Sequence, residues 1–203
     1  MNEERLAVER QSAVSPVVGV MLMLVVVIII AAVVSSFAGG MGSGQKVTPS
    51  ASISVKIDTA MDDTMGGTTT KMVFEHVSGD SIRSQDLKII TYYTASNGTV
   101  IKHSQDASSP ATQLYSALRF TRVPFLNDPK VGRSGYNTSV DFGNFTWSTG
   151  DLLSTGSPAG TSALLGFDIS DTSYGFRAGV PVDVKILHTP SNKYIFDKEV
   201  FVQ

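Results

Sequence analysis

The chain has 203 residues, of which 16 are lysine or arginine and 18 are aspartate or glutamate, and it contains no cysteine. The lack of cysteine excludes disulfide bonds and thiol chemistry. The near balance of charge argues against nucleic acid as a partner, and it lacks the strong acidic bias of a protein adapted to saturated salt.

The longest apolar run of the chain follows a charged start at residues 1–12. No charged residue lies between Arg10 and Lys46, and residues 17–38 are nearly all Val, Ile, Leu, Met or Ala. A helix over 17–38 spans about 33 Å, which is enough for the roughly 30 Å hydrocarbon core of a bilayer. Consecutive β-branched residues favour a strand in water, but a lone segment in lipid satisfies its backbone hydrogen bonds only as a helix.

Local signals mark both ends of this predicted helix, which we place at 13–38. Ser15 is a good N-cap, and Pro16 suits the first helical position, where its missing N–H costs nothing. The glycine-rich stretch 39–46 is predicted to end the helix and to form a flexible linker. Residues 47–203 then form one head domain, which is large enough to bury roughly 70% of its unfolded surface.

Three interpretations of the apolar segment compete. The first is an ordinary secretory signal peptide, since Ser36-Phe37-Ala38 is a small-x-small site; the apolar run exceeds the usual core of roughly 7–15 residues, however, and acidic residues outnumber basic ones at the start. The second is a single-span anchor that is never cut. The third is a class III signal, in which a peptidase cuts before the helix on the cytoplasmic side and the helix stays on the mature protein.

The third interpretation rests on a resemblance. The segment AVSPVVGVMLMLVVVIIIAAVVSSFAGG, residues 13–40, resembles the N-terminal segment of archaeal type IV pilins, which begins with a Val-Ser-Pro-Val-Ile/Val-Gly-Val core. The resemblance implies removal of a leader, 1–12, by cleavage between Ser12 and Ala13, with cleavage between Ala13 and Val14 as the alternative. Bacterial type IV pilins carry a glutamate where this chain has Val17, and this difference favours the archaeal family.

The resemblance also implies a function and a set of partners. The chain would be a structural subunit of a surface filament and not an enzyme. It would span the cytoplasmic membrane once with its head outside, and then polymerise as a homo-oligomer in a helical filament. A prepilin peptidase, an assembly ATPase and a membrane platform would be its partners, and no cofactor is implied. The alternative is a membrane-tethered extracellular β-sandwich that recognises a carbohydrate or surface partner and never polymerises.

The head shows the alternation of apolar and polar residues that is typical of strands. Candidate strands cover 51–57, 71–77, 86–94 and 140–147, and a final hairpin covers 180–202 with the turn His188-Thr-Pro-Ser-Asn192. Short strands separated by turn residues predict an all-β, sandwich-like head, so the fold class is α+β overall. The closing hairpin also resembles the C-terminal hairpin of archaeal pilin heads.

The head carries no convincing catalytic or metal-binding pattern. Gly79–Ile82 (GDSI) is similar to the nucleophile block of one esterase group, but the Asp-x-x-His motif of that group is missing, so we interpret it as a turn. Three histidines have no partner at ligand spacing: His76, His103 and His188. An acidic group lacks the EF-hand spacing: Asp58, Asp62 and Asp63.

Three Asn-x-Ser/Thr sequons are present in the head, at Asn97, Asn137 and Asn144. We predict that they carry glycans and therefore lie on exposed loops or strand edges. Asn97-Gly98 is typical of an exposed tight turn, whereas the aromatic residues around Asn144 predict a partly buried strand. The alternative is that these asparagines serve only as turn residues.

Overall fold

The computed structural model describes residues 16–41, 46–62, 67–116 and 118–203. For residues 39–41 it describes the backbone only. The chain divides into two compact units, Met1–Gln45 and Lys46–Gln203. The predicted cleavage residues Ser12 and Ala13, the predicted N-cap Ser15 and residues 42–45 of the predicted linker lie outside the described residues.

The first unit contains a single long helix within its described residues, α1 (Pro16–Met41). It is long and apolar enough to cross a membrane, and the predicted long apolar N-terminal helix is confirmed. Its end differs from the prediction, because the helix continues through Gly39 and Gly40 to Met41 instead of ending at 38. Glycine weakens a helix by about 1 kcal/mol but keeps its backbone N–H donor, so a final turn that contains two glycines still forms.

The second unit is the head. Its described elements, in chain order, are β1 (Ala51–Asp62), β2 (Thr68–Gly79), β3 (Ile82–Arg83), β4 (Leu87–Thr94), β5 (Val100–Gln105), β6 (Phe125–Leu126), β7 (Thr146–Trp147), β8 (Leu152–Ser154), α2 (Pro158–Leu165), β9 (Pro181–His188) and β10 (Lys193–Phe201). Three short 3₁₀ segments accompany them: Ser84–Asp86, Thr138–Val140 and Thr172–Tyr174.

Antiparallel pairing builds two four-stranded sheets and a two-stranded ribbon. The first sheet has the order β1-β2-β8-β6, the second has the order β10-β9-β4-β5, and β3 pairs with β7. One apolar core contains side chains from both large sheets, among them Phe74 of β2 and Val184 of β9, together with Trp147. An α+β chain with a mostly β head is therefore confirmed, although α2 makes the head not entirely β.

The predicted C-terminal hairpin is confirmed. Its strands β9 and β10 pair antiparallel along their whole length, with one irregularity near Tyr194. Val182, Val184 and Ile186 are fully buried, while the intervening Asp183 and Lys185 are partly exposed. The alternation in the sequence thus follows the two faces of the strand, because successive side chains of a strand point to opposite sides.

The predicted strand over 140–147 is wrong for most of its length. Val140 ends the 3₁₀ segment Thr138–Val140, Phe142 lies in a turn, and only Thr146–Trp147 is extended. Val140 and Phe142 are nevertheless both fully buried. Their spacing reflects insertion of an irregular segment into the core, which gives the same apolar pattern as a short strand.

The short helix α2 was not predicted because eight residues are too few for a clear helical period. Its end signals are strong, however. The Ser157 hydroxyl accepts a hydrogen bond from the Gly160 N–H, Pro158 occupies the first turn, and Gly166 ends the helix at φ +83°. The helix buries Leu164 and Leu165 and contacts β2, β4 and β5.

Candidate functional site: the apolar helix and the glycosylation sequons

The surface of α1 is apolar on every side. No Asp, Glu, Lys or Arg lies between Pro16 and Met41, and all large apolar side chains from Val17 to Phe37 are exposed within the single chain. A soluble surface helix would carry one polar face that meets water. A helix that is apolar all round requires a continuous apolar environment, which either lipid or the centre of a helix bundle provides.

The length of α1 agrees with a membrane span. The segment Pro16–Ala38 has 23 residues and passes the length and composition criteria for crossing a bilayer, and it covers about 35 Å at about 1.5 Å per residue. Six consecutive β-branched residues, Val25–Ile30, occupy its middle. Their stiff side chains have one preferred χ1 rotamer in a helix, so they lose little side-chain entropy when the helix packs against a neighbour.

The N-terminal residues match a known protein family. Residues 12–53, which include the whole of α1, match the family model of the archaeal type IV pilin N-terminal region. The N-terminal part of this chain is therefore similar to that of archaeal type IV pilins. The match begins at Ser12 and continues to Ile53 in β1, so it covers 42 of the 203 residues (12 to 53 inclusive). Archaeal type IV pilins are structural subunits rather than enzymes, and the resemblance recognised in the sequence is confirmed.

Most of the head lies outside this match, and no curated protein matches the chain. The head must therefore be interpreted from its own residues. Among the features that the sequence places on the head, the three sequons are those whose chemistry depends on the local structure. Their asparagine side chains all lie on exposed positions.

Asn97 occupies the tight turn between β4 and β5. Its Oδ1 accepts a hydrogen bond from the Thr99 N–H at 2.9 Å, and Gly98 adopts φ +82°, a conformation that glycine adopts without steric cost. The turn is closed by a hydrogen bond from the Ala95 N–H to the Thr99 carbonyl at 2.9 Å. Among the described residues, nothing accepts a hydrogen bond from the Asn97 Nδ2.

Asn137 has a structural role in the fold. It caps the 3₁₀ segment Thr138–Val140 by accepting a hydrogen bond from the Ser139 N–H at 2.9 Å, while its Nδ2 donates to the Val131 carbonyl at 3.4 Å. Its own carbonyl accepts a hydrogen bond from Arg119 Nη2 at 2.7 Å. Both ends of its side-chain amide are therefore engaged in the folded head.

Asn144 lies in a turn and not in the partly buried strand that its aromatic neighbours predict. Its side chain is exposed, and its Nδ2 donates to the Thr138 carbonyl at 2.8 Å. The aromatic residues beside it point inward, since Phe145 and Trp147 are buried. Asn144 is thus accessible, but its amide nitrogen holds the backbone of the preceding segment.

An ion pair that sequence analysis missed supports this region. Arg119 Nη1 and Nη2 donate to the two carboxylate oxygens of Asp141 at 2.9 and 2.6 Å, and Asp141 is only 5% exposed. Arg119 also donates to the carbonyls of Phe120 and Asn137. The pair joins residues 22 positions apart, so no local sequence signal announces it.

The sequence predicts a turn at the esterase-like block, but in the structure Gly79 ends β2, Ile82 begins β3, and Asp80 and Ser81 link the two strands without a regular turn. The Ser81 hydroxyl donates to the Ser148 hydroxyl at 3.0 Å, while the buried His76 lies with Nε2 at 3.0 Å from the Asp80 carbonyl oxygen. The serine nucleophile of that esterase group is activated by a hydrogen-bonded histidine, and Ser81 has none among the described residues. Within the same part of the chain, no group of three His, Cys, Asp or Glu side chains is arranged to hold a metal ion.

Proposed function

We propose that this protein is a structural subunit of an archaeal type IV pilus-like surface filament that polymerises through α1. The observation that carries the proposal is a charge-free, 26-residue helix with an apolar surface on every side, followed by a head that forms a compact unit of its own. The match of residues 12–53 to the archaeal pilin family supports the same conclusion.

The apolar surface of α1 suits two successive environments. Before assembly, α1 spans the cytoplasmic membrane once with the head outside. After assembly, the same surface packs against α1 of neighbouring subunits, so apolar contacts with lipid are replaced by apolar contacts with protein. Contacts between unlike surfaces of identical subunits do not close on themselves, and repeated contacts of this kind produce a helical fibre.

Removal of the leader comes between the membrane-inserted state of α1 and its state in the filament. In this proposal a prepilin peptidase cuts between Ser12 and Ala13, or between Ala13 and Val14, and leaves α1 on the mature chain. An assembly ATPase and its membrane platform then move the subunit into the growing fibre. These partners are the ones that the resemblance to the pilin family implies. The final location of the head is the filament at the cell surface.

Glycosylation of the head belongs to the same proposal. An exported head meets the enzymes that attach glycans to Asn-x-Ser/Thr sites. Asn97 is the strongest acceptor, because its side chain is exposed and its Nδ2 has no hydrogen-bond acceptor among the described residues. The Nδ2 atoms of Asn137 and Asn144 already donate to backbone carbonyls, so a glycan must replace the second amide hydrogen if these bonds are kept.

The proposal is tested by the N-terminal residue of the mature protein together with electron microscopy of the cell surface. We expect mass spectrometry to place the first residue at Ala13 or Val14 and microscopy to show filaments that antibodies against the head label. A first residue at Gly39 would identify an ordinary signal peptide and overturn the proposal. A mature chain that keeps α1 but forms no filaments would instead identify a membrane-tethered binding module.

A further inference from the structure

A surface pocket lies in the head between the edge strand β5 and the short helix α2. Its volume is about 420 Å³, within the range of about 300–1,000 Å³ that is typical of small-molecule pockets. Eight residues line it: His103, Gln105, Pro110, Thr112, Ser162, Ala163, Gly166 and Phe167. The filament function proposed above uses none of them.

The imidazole of His103 is held in a defined orientation at this pocket. Its Nδ1 lies 3.0 Å from the Leu164 carbonyl oxygen, and a carbonyl oxygen only accepts, so Nδ1 carries the proton of the neutral ring and Nε2 remains an acceptor. Gly166 makes room for the ring, because a Cβ at this position would lie 2.7–2.9 Å from the His103 side chain. The C-terminal end of α2 therefore positions the histidine.

Gln105 places an amide in the wall of the pocket on the side of β5 that faces the core. The residue is 3% exposed, it lies opposite Ile89 of β4, and its Nε2 has no hydrogen-bond acceptor among the described residues. A buried donor without an acceptor costs about 1–3 kcal/mol, a cost that leucine would avoid. The Nε2 atom itself is buried in this conformation, and rotation of the side chain toward the pocket that Gln105 lines would let an oxygen atom of a bound ligand supply the missing acceptor.

The remaining lining residues define the chemistry of a ligand. None of the eight carries a fixed charge, so the pocket provides no ion-pairing group for a charged ligand. The hydroxyls of Thr112 and Ser162 add hydrogen-bonding capacity, and since Ser162 Oγ already accepts from the Ile169 N–H at 3.1 Å, its proton remains to be donated. Apolar side chains complete the wall: Pro110, Ala163 and Phe167.

We propose that this pocket binds a neutral saccharide through one terminal sugar ring. The pocket wall offers both donors and acceptors, namely an amide, an imidazole acceptor and hydroxyls. Each sugar hydroxyl can both donate and accept hydrogen bonds, so it can pair with any of these groups. The C–H faces of the sugar ring match the apolar side chains of the wall. An apolar wall with a few placed polar groups is the usual composition of a small-molecule site.

Binding of neutral sugars to the full-length protein tests the proposal. The protein is held in a detergent without sugar headgroups, and saturation-transfer difference NMR is recorded with glucose, galactose, mannose and N-acetylglucosamine, and with acetate and inorganic phosphate as charged probes. We expect at least one sugar to bind with a Kd in the millimolar range. Gln105→Leu and Thr112→Val should each weaken it by about tenfold, since each removes one hydrogen bond to the ligand.

Gln85→Leu is the matched control, because Gln85 is exposed and does not line the pocket; this variant should bind like the wild type. Gln105→Leu should unfold at the same or a higher temperature than the wild type, which separates lost binding from lost folding. The proposal is overturned if no sugar binds up to about 0.1 M, if both pocket variants bind unchanged, or if acetate or phosphate binds there instead. Filaments that form normally alongside such a result would leave the proposed filament function intact.

Discussion

Ile57 and Val202 form a parallel β-bridge that joins the first strand of the head to the end of the chain. The Gln203 N–H donates to the Ile57 carbonyl at 2.8 Å, and the Thr59 N–H donates to the Gln203 carbonyl at 2.9 Å. Both bridging side chains are buried. The bridge connects the two four-stranded sheets, and α2 also contacts strands of both sheets, so the two ends of the head are tied into one core.

Ile57→Ala should lower the free energy of unfolding of the head by about 2–5 kcal/mol, because it removes fully buried apolar groups and leaves a cavity. The single tryptophan, Trp147, is buried in the same core, so its fluorescence in a urea titration reports unfolding of the head alone. Val47 is 90% exposed, and Val47→Ala should change the free energy by less than about 0.5 kcal/mol. Equal stability of the two variants would show that the bridge lies outside the cooperative core.

Arg119→Met should destabilise the head by about 3 kcal/mol, because it leaves the carboxylate of Asp141 buried without its partner. This value is at the lower end of the range for buried pairs, since the Arg119 side chain is 29% exposed. Arg83→Met is the control: Arg83 pairs with Asp86 but its side chain is 58% exposed, so its loss should cost about 0–1 kcal/mol. Urea unfolding of both variants measures the difference, and equal losses would contradict a structural role for the Arg119–Asp141 pair.

The stability of the head should depend on pH through His188. Burial lowers the pKa of His188 below its ordinary value; nearby Lys46 and Arg83 act in the same direction, and Asp86 opposes them. A histidine with a lowered pKa is less easily protonated in the folded state, so its contribution to stability is complete above the unfolded pKa of about 6.5 and is lost as the pH falls below that value.

Thermal unfolding between pH 8 and pH 5 measures this effect, a window that stays above the ordinary carboxylate pKa of about 4. The melting temperature of the wild type should fall on the acid side of about pH 6.5, and that of His188→Gln should fall less. Parallel curves for the two proteins would show that another group causes the dependence.

Ile29→Lys should abolish filaments while leaving the head folded. Ile29 lies near the middle of α1, where a lysine costs about 2.5–3.5 kcal/mol on membrane insertion scales. In a bundle of identical helices each lysine would also meet like charges from its neighbours. Ile29→Leu is the apolar control and should still assemble. Electron microscopy counts the filaments, Trp147 fluorescence reports the fold of the head, and normal fibres from the lysine variant would show that α1 is not the assembly core.

Asn97 should be the most highly occupied glycosylation site of native filaments. Its exposed turn leaves the Nδ2 without an acceptor among the described residues, whereas Asn137 and Asn144 donate theirs to backbone carbonyls. Intact-mass measurement of Asn97→Gln should show a larger loss of glycan mass than the same change at either other sequon. Asn127→Gln, at an exposed asparagine outside any sequon, should lose none. A wild-type mass equal to the bare polypeptide would contradict the prediction.

Local patterns in the sequence by themselves determined α1, the final hairpin and the turn at Asn97-Gly98. The run of apolar residues in Pro16–Met41 leaves no polar face, so its helical state and apolar environment follow from composition alone. In the hairpin, the alternation of Val182, Val184 and Ile186 with polar residues specifies which face is buried. Each of these features depends on residues that are close in sequence.

Only the tertiary structure decided how the head closes and where its pocket lies. The pairing of β3 with β7, the ion pair between Arg119 and Asp141, and the meeting of His103 with the end of α2 all join segments that are distant in sequence. Val140 and Phe142 carry the apolar spacing of a strand, yet an irregular segment buries them. Burial requires only that apolar side chains reach the core, and many chain paths satisfy this condition, so the pattern of residues does not select among them until all segments pack together.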